Sequence, residues 1–310
     1  MNKYIIKNEE LIVTVNSFGA ELSSIKDAKT DWEYLWCGDA KYWNRQSPIL
    51  FPIVGILKDK EMRLNGKVYS MGQHGFARDN EFELESQTND EIWFVFSSND
   101  ETIKMYPFKY MLHIGYKLSG RKLEVLWEVE NKNNITMPFS IGGHPAFYYP
   151  NDMVKNSMNN SDMDSEDLKN NNYEYYVQFD CNKDLIYGEI DMNSGCIVKG
   201  IEHHLKLDKD GIFKIDEHTF DNDALVFEHS DVNKVSMLHA NKSPYITMEF
   251  EMPLFALWSP TKKNAPFMCI EPWCGRCDST DFNGEFDEKE YINKIETNEV
   301  FNQKYSIVFH

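Results

Sequence analysis

The sequence predicts an all-β protein, a large antiparallel β-sandwich with one or two short helices, and three observations carry that expectation. Apolar residues recur at every second position, as where Ile246, Met248, Phe250 and Met252 alternate with Thr247, Glu249 and Glu251, which is the period of a strand with one buried face. Runs rich in Val, Ile, Phe, Tyr and Trp are separated by clusters of turn-forming residues. Helix signals, by contrast, are scarce.

Along the chain, strands are expected at 11–15, 92–97, 110–116, 123–129, 246–252 and 305–309, with Ser119-Gly120 and the asparagine-rich 131–134 as punctuation. Only 287–295 offers several good helix formers, with a thin apolar face, and a short helix is expected there. The segment 151–172 is almost wholly Asn, Asp, Ser, Lys, Glu and Met. It is too polar to order itself as a core element and reads as an excursion between strands. A chain of 310 residues with 42% hydrophobic content can bury a substantial core, and one domain over 1–310 is expected.

The net charge of −18, from 32 Lys and Arg against 50 Asp and Glu, repels phosphate backbones and anionic lipid heads and argues against nucleic acid and membrane partners. No apolar run approaches the ~20 residues that span a bilayer. The first fifteen residues carry Lys3, Lys7, Glu9 and Glu10 and lack the apolar centre of a signal peptide. A cytoplasmic location is expected, with six scattered cysteines reading as free thiols.

Three segments interrupt the alternation with dense Gly, Pro, His and acidic residues: 73–79, 141–150 and 269–278. Loops of this kind on a rigid sheet are where function concentrates. The first holds His74 beside Gly75. The second places His144 between a Gly-Gly pair and Pro145, which fixes the chain just after it. The third sets Glu271 among apolar neighbours and near Trp273, where desolvation raises a carboxyl toward the range of a useful base. Two imidazoles and one carboxylate are the inventory of a proton-transfer site needing no metal and no cofactor.

Rival motifs are poorer. Cys274 and Cys277 have C-x-x-C spacing but no second pair or nearby His to complete a zinc set. His203 and His204 are adjacent, so on a strand they point to opposite faces. Phosphate-binding glycine motifs and the serine nucleophile elbow are absent.

At these same loops the sequence resembles the aldose 1-epimerase, or galactose mutarotase, superfamily, most closely its bacterial LacX-like branch. The matching motifs are Phe51-Pro52-Ile53-Val54-Gly55, His74-Gly75-Phe76-Ala77-Arg78-Asp79, Gly142-Gly143-His144-Pro145-Ala146-Phe147 and Cys269-Ile270-Glu271-Pro272-Trp273. Leu257-Trp258-Ser259 followed by Ala265-Pro266-Phe267 extends the match, which runs over essentially the whole chain.

The resemblance implies a supersandwich fold with a sugar cleft on one face, and an isomerase that interconverts the anomers of an aldohexose without a cofactor. It makes Glu271 the general base at the anomeric hydroxyl and His144 the acid at the ring oxygen. His74 becomes a second histidine stabilising charge on oxygen. Asp223 matches the acidic residue that grips sugar hydroxyls, with Asp221 two places away and expected on the same strand face. Arg78 is a binding residue, and Trp258 or Trp273 stacks on the pyranose. Ile56 departs from the pattern, since many relatives place an arginine after Phe-Pro-x-x-Gly. That disfavours a hexose 6-phosphate as substrate, although Arg45 and Arg78 remain as anion contacts. A carbohydrate-binding or sensing protein without turnover, and a hexose-6-phosphate mutarotase, are the alternative readings.

Overall fold

The twofold apolar period resolves into two large antiparallel sheets that share one core. The computed structural model describes residues 2–150, 175–228 and 231–310, and the polar excursion read at 151–172 lies outside them. The first sheet has nine strands in the order Ile212–Ile215, Tyr175–Phe179, Lys234–Leu238, Pro244–Phe250, Val300–Phe309, Lys122–Asn131, Tyr110–Ser119, Glu91–Ser97 and Glu83–Gln87. The second runs Ile197–Leu205, Leu185–Ile190, Leu225–Glu228, Leu254–Trp258, Phe267–Cys274, Ile141–Gly143 and Ile49–Leu50, with Ala146–Tyr148 also paired to Phe267–Cys274. A three-stranded sheet from Lys3–Lys7, Leu11–Asn16 and Leu22–Asp27 flanks them.

The alternation explains the packing. Along Lys122–Asn131, Leu123, Val125, Trp127 and Val129 are buried while the residues between them are half-exposed. The facing sheet contributes Phe227, Phe255, Leu257, Met268 and Ile270 to the same core. Aromatic rings bridge the layers, Phe250 to Phe255 at 5.4 Å and Phe179 to Phe227 at 5.9 Å between centroids. Each such side chain contributes about 1.5–3 kcal/mol by leaving water.

Every expected strand is present, mostly longer than its apolar signal, because ladder bonds continue past the last buried side chain. The run 123–129 extends to Lys122–Asn131 and 305–309 to Val300–Phe309, whereas 246–252 becomes Pro244–Phe250. The helix expected at 287–295 does not form. That segment begins inside a single 3-10 turn, Phe286–Glu288, and ends as the strand Asn293–Ile295, which pairs with Met137–Phe139. Tertiary pairing there outweighs helix propensity. The α-helix among the described residues is instead Asp100–Met105, started by a capping box in which Asn99 accepts from Thr102 N and Thr102 Oγ1 accepts from Asn99 N. No helix among the described residues is long and apolar enough to cross a membrane, and all six cysteines are free thiols.

The long strand Phe267–Cys274 differs from the half-exposed pattern. All eight residues of Phe267–Cys274 are buried. Met268, Ile270 and Cys274 enter the inter-sheet core, so the alternate residues Cys269, Glu271 and Trp273 project to the sheet's other face. Loops cover that face, and the candidate site lies there.

Candidate active site

Backbone bonds bolt the three motif loops together. His74 N–H donates to Gly55 O (2.7 Å), and Phe76 and Ala77 N–H both donate to Phe51 O (3.0 and 3.1 Å). A side chain at Gly75 would put its Cβ 2.2 Å from Phe51 O, at a φ of +70°, so only glycine permits this approach. Gly55 likewise has a φ of +70°, and a Cβ there would lie 2.6 Å from the Cβ of Cys277, which ties the segment 51–55, and through it the first loop, to the third.

His144 stands between the short strands Ile141–Gly143 and Ala146–Tyr148. Both pair with Phe267–Cys274, Gly142 opposite Trp273 and Ala146 opposite Cys269, which hangs His144 over Glu271. A neighbouring segment braces it. Glu21, buried, accepts the N–H groups of Gln46 and Ser47 (2.9 Å each). Gln46 O and Pro48 O then accept Ala146 N–H (2.9 Å) and His144 N–H (3.2 Å).

The resulting contact is His144 Nε2 to Glu271 Oε2 at 3.3 Å. His144 is 6% exposed and Glu271 1%. The pair lies at ion-pair distance without hydrogen-bond alignment, so Glu271 Oε2 and His144 Nδ1 are buried polar atoms with no hydrogen-bond partner. Native interiors rarely tolerate such atoms unless a ligand or catalytic role needs them. Burial pushes the Glu271 carboxyl well above its usual range, Asp223 adds to the rise, and the Trp273 indole opposes it. Burial and then the Arg78 charge depress His144 to about 3. Both shifts disfavour the charged forms, so burial favours a couple that shares one proton.

His74 closes the site from the side, its ring edge-on to His144 at 5.6 Å. Burial, His144, Arg78 and Arg45 hold it well below the usual imidazole value. Its Nδ1 accepts the Gly55 N–H at 3.1 Å, so the neutral ring carries its proton on Nε2 as a donor.

The structure thus brings His74, His144 and Glu271 together, with Arg78, Asp223, Trp258 and Trp273 around them. Arg78 donates to Gln73 O (2.8 Å), and its buried Nε makes no hydrogen bond but lies 3.8 Å from Asp79 Oδ2. Asp223 is near enough to Glu271 to oppose its ionisation. Asp221 does not share a strand face with it: residues 216–224 form turns, Asp223 has a φ of +72°, and Asp221 is taken by His218 at 3.0 Å. Trp258 is half-buried and meets His144 edge-on at 5.4 Å. Trp273 is buried in an apolar cluster with Leu50, Val54 and Leu254, next to the carboxyl.

Trp43 was not foreseen. It stacks on the His144 ring at 4.7 Å and 26°, and Trp36 Nε1–H donates to its carbonyl at 2.8 Å. It lies in irregular chain, where no periodicity marks it. Ile56 packs against the cluster around Trp273. Arg45 is engaged by Asp79 and by Arg78 O. Among the described residues no cluster of three metal-donor side chains includes Cys274, Cys277, His203 or His204, and His203 pairs with Glu189 at 2.8 Å.

Comparison with known proteins agrees with this architecture. The family model described as aldose 1-epimerase matches residues 2–290. The LacX proteins of Lactococcus lactis subsp. lactis, plasmid and chromosomal, are 29% identical over 300 residues, covering 94% of this chain and 93% of theirs. Among solved structures, a galactose mutarotase related enzyme from Lactobacillus acidophilus superposes with a TM-score of 0.87 at 31% identity, covering 100% of this chain and 97% of that one. A galactose mutarotase-like protein from Lactobacillus casei does so with a TM-score of 0.87 at 25% identity, covering all of both chains.

Proposed function

Because the chain belongs to the aldose 1-epimerase family, we propose that it interconverts the α and β anomers of a neutral aldohexose by acid/base ring opening. The observation that carries this reading is the buried His144 and Glu271 pair, 3.3 Å apart with partnerless polar atoms on both groups. A sugar whose O1 approaches Glu271 Oε2 supplies that oxygen's missing partner and brings O5 to His144 Nε2.

In the reaction, Glu271 takes the proton from the anomeric hydroxyl while His144 gives one to the ring oxygen. The C1–O5 bond breaks, leaving an open-chain aldehyde. Rotation about C1–C2 presents the other carbonyl face. O5 then attacks C1 and returns its proton to His144, and Glu271 reprotonates O1, so the protein ends as it began. Acid and base catalysis are each worth roughly 10²- to 10⁴-fold.

In the free protein burial favours the neutral couple, with the shared proton on Glu271. The reactive couple has that proton on His144, a transfer across the 3.3 Å contact. Sugar hydroxyls donating to Glu271 favour its ionised form and so the reactive couple. Neutral His74 donates from Nε2 to developing charge on oxygen, Arg78 and Asp223 grip ring hydroxyls, and Trp258 with Trp43 offers the apolar wall on which a pyranose stacks.

Polarimetry on freshly dissolved α-D-glucose and α-D-galactose, and on their 6-phosphates, tests the proposal. Faster approach to equilibrium for a neutral sugar is expected. Sugar binding in a calorimeter without acceleration would replace the enzyme by a binding protein, and acceleration confined to the phosphates would replace the substrate.

A further inference from the structure

Cys269 has no part in the sugar chemistry, yet it shares the outward face of its strand with Glu271. One donor atom each from His144, Cys269 and Glu271 lies within 4.8 Å of the others, and all three residues are buried. We propose that these side chains form a binding site for a thiophilic divalent cation of the zinc class, and that its occupation switches the site off. The inhibitory half of this inference rests on the proposed mutarotase reading.

The donors have the chemistry of the ion. Zinc takes thiolate sulfur, imidazole nitrogen and carboxylate oxygen in a tetrahedron, and bonds of 2.0–2.3 Å put the donors about 3.3–3.8 Å apart. His144 Nε2 and Glu271 Oε2 already stand 3.3 Å apart, so it is chiefly the sulfur that has to close in, by about 1.3 Å from the 4.8 Å limit. His144 and Glu271 are more than nine-tenths buried, and Glu271 Oε2, which faces His144 Nε2, has no hydrogen-bond partner, so that oxygen is open to a ligand.

Three protein donors leave a fourth position for water or a sugar hydroxyl. The thiolate selects zinc or cadmium over magnesium or calcium. As the three metal bonds form, the Cys269 thiol proton and the proton shared by His144 and Glu271 pass to solvent. The loaded site then has neither its acid nor its base.

Cadmium titration of the full-length protein, read by the ultraviolet thiolate-to-cadmium charge-transfer absorption, tests the site without any sugar. A band saturating at one equivalent in the wild type and in Cys37→Ser, and lost in Cys269→Ser, is expected. A band that survives Cys269→Ser, or no band, overturns the site. If serine unfolds the protein, as near-ultraviolet circular dichroism would show, Cys269→Ala carries the same comparison. Zinc should also stop wild-type anomerisation and a chelator restore it, with roughly tenfold or more zinc required in the Cys269 variant. Equal sensitivity overturns the switch. A Cys269-dependent band in a protein that turns over no sugar would keep the metal site and remove the mutarotase reading. Anomerisation indifferent to zinc, with no such band, would do the reverse.

Discussion

Two buried acid–base couples draw their carboxylates from one stretch of chain and are built in opposite ways. Asp278 and Lys289 form an ion pair with both side chains almost wholly buried. Asp278 also accepts Lys58 N–H at 2.8 Å, and its backbone bonds to Ile56 and Ile197 at 3.0 and 2.9 Å. Glu271 and His144 are as deeply buried, yet keep partnerless polar atoms. A couple with its bonds made holds elements together, whereas one with bonds left open is held by the elements around it and awaits a ligand. Here the first fixes the loop after the long buried strand, and the second sits where that strand meets the loops that cover it.

The sharpest way to break this contrast is to disable each couple. Glu271→Gln should lower kcat by roughly 10²- to 10⁴-fold with the fold retained, and His144→Asn should do the same. The double variant should lose far less than the product of the two, since acid and base act as a unit. Asp278→Ala should have the opposite profile: it strands a buried ammonium and should cost about 3–5 kcal/mol in urea unfolding, with turnover per folded molecule preserved. Loss of activity without loss of stability at Asp278 would erase the distinction.

A smaller effect is expected at Trp43. Removing its stack on His144 with Trp43→Ala should cost about 0.5–1.5 kcal/mol in kcat/KM, most of it recovered by Trp43→Phe. An unchanged kcat/KM would remove Trp43 from the site.

The mildest consequences are in pH. Because Glu271 is raised above its ordinary 4.5 in the folded protein, its contribution to stability is fully present below that value and is lost as pH rises. Glu271→Gln should therefore melt above the wild type at neutral pH, and the gap should close toward the ordinary carboxyl range. The kcat/KM profile should be bell-shaped, its acid limb below the ordinary 6.5 of imidazole because His144 is depressed, and its alkaline limb above 4.5 because Glu271 is raised. An acid limb at 6.5 would mean that His144 is not the depressed group in turnover.

The sheets were legible because period-two burial is a local signal. Leu123, Val125, Trp127 and Val129 announce their strand before any partner is known. The site loops were legible because glycine and proline mark where a chain must approach itself closely, as Gly75 does over Phe51 O. What stayed hidden depends on pairing between distant segments. Asn293–Ile295 reads as helix until Met137–Phe139 lies beside it, and the six-residue helix at Asp100–Met105 shows only its Asn99 and Thr102 cap. Asp221 and Asp223 are indistinguishable on a supposed strand and are separated by a turn that hands Asp221 to His218. Trp43 and Glu21 carry no periodic signal, and their places follow from the folded course of 42–48 past His144.

The proposed catalysis depends on the open couple, and magnetisation exchange between the α and β anomeric protons of glucose or galactose reads it most directly. With wild-type protein the exchange rate should rise well above that in buffer, and with folded Glu271→Gln it should return to the buffer rate. An exchange rate in Glu271→Gln equal to that of the wild type would contradict it.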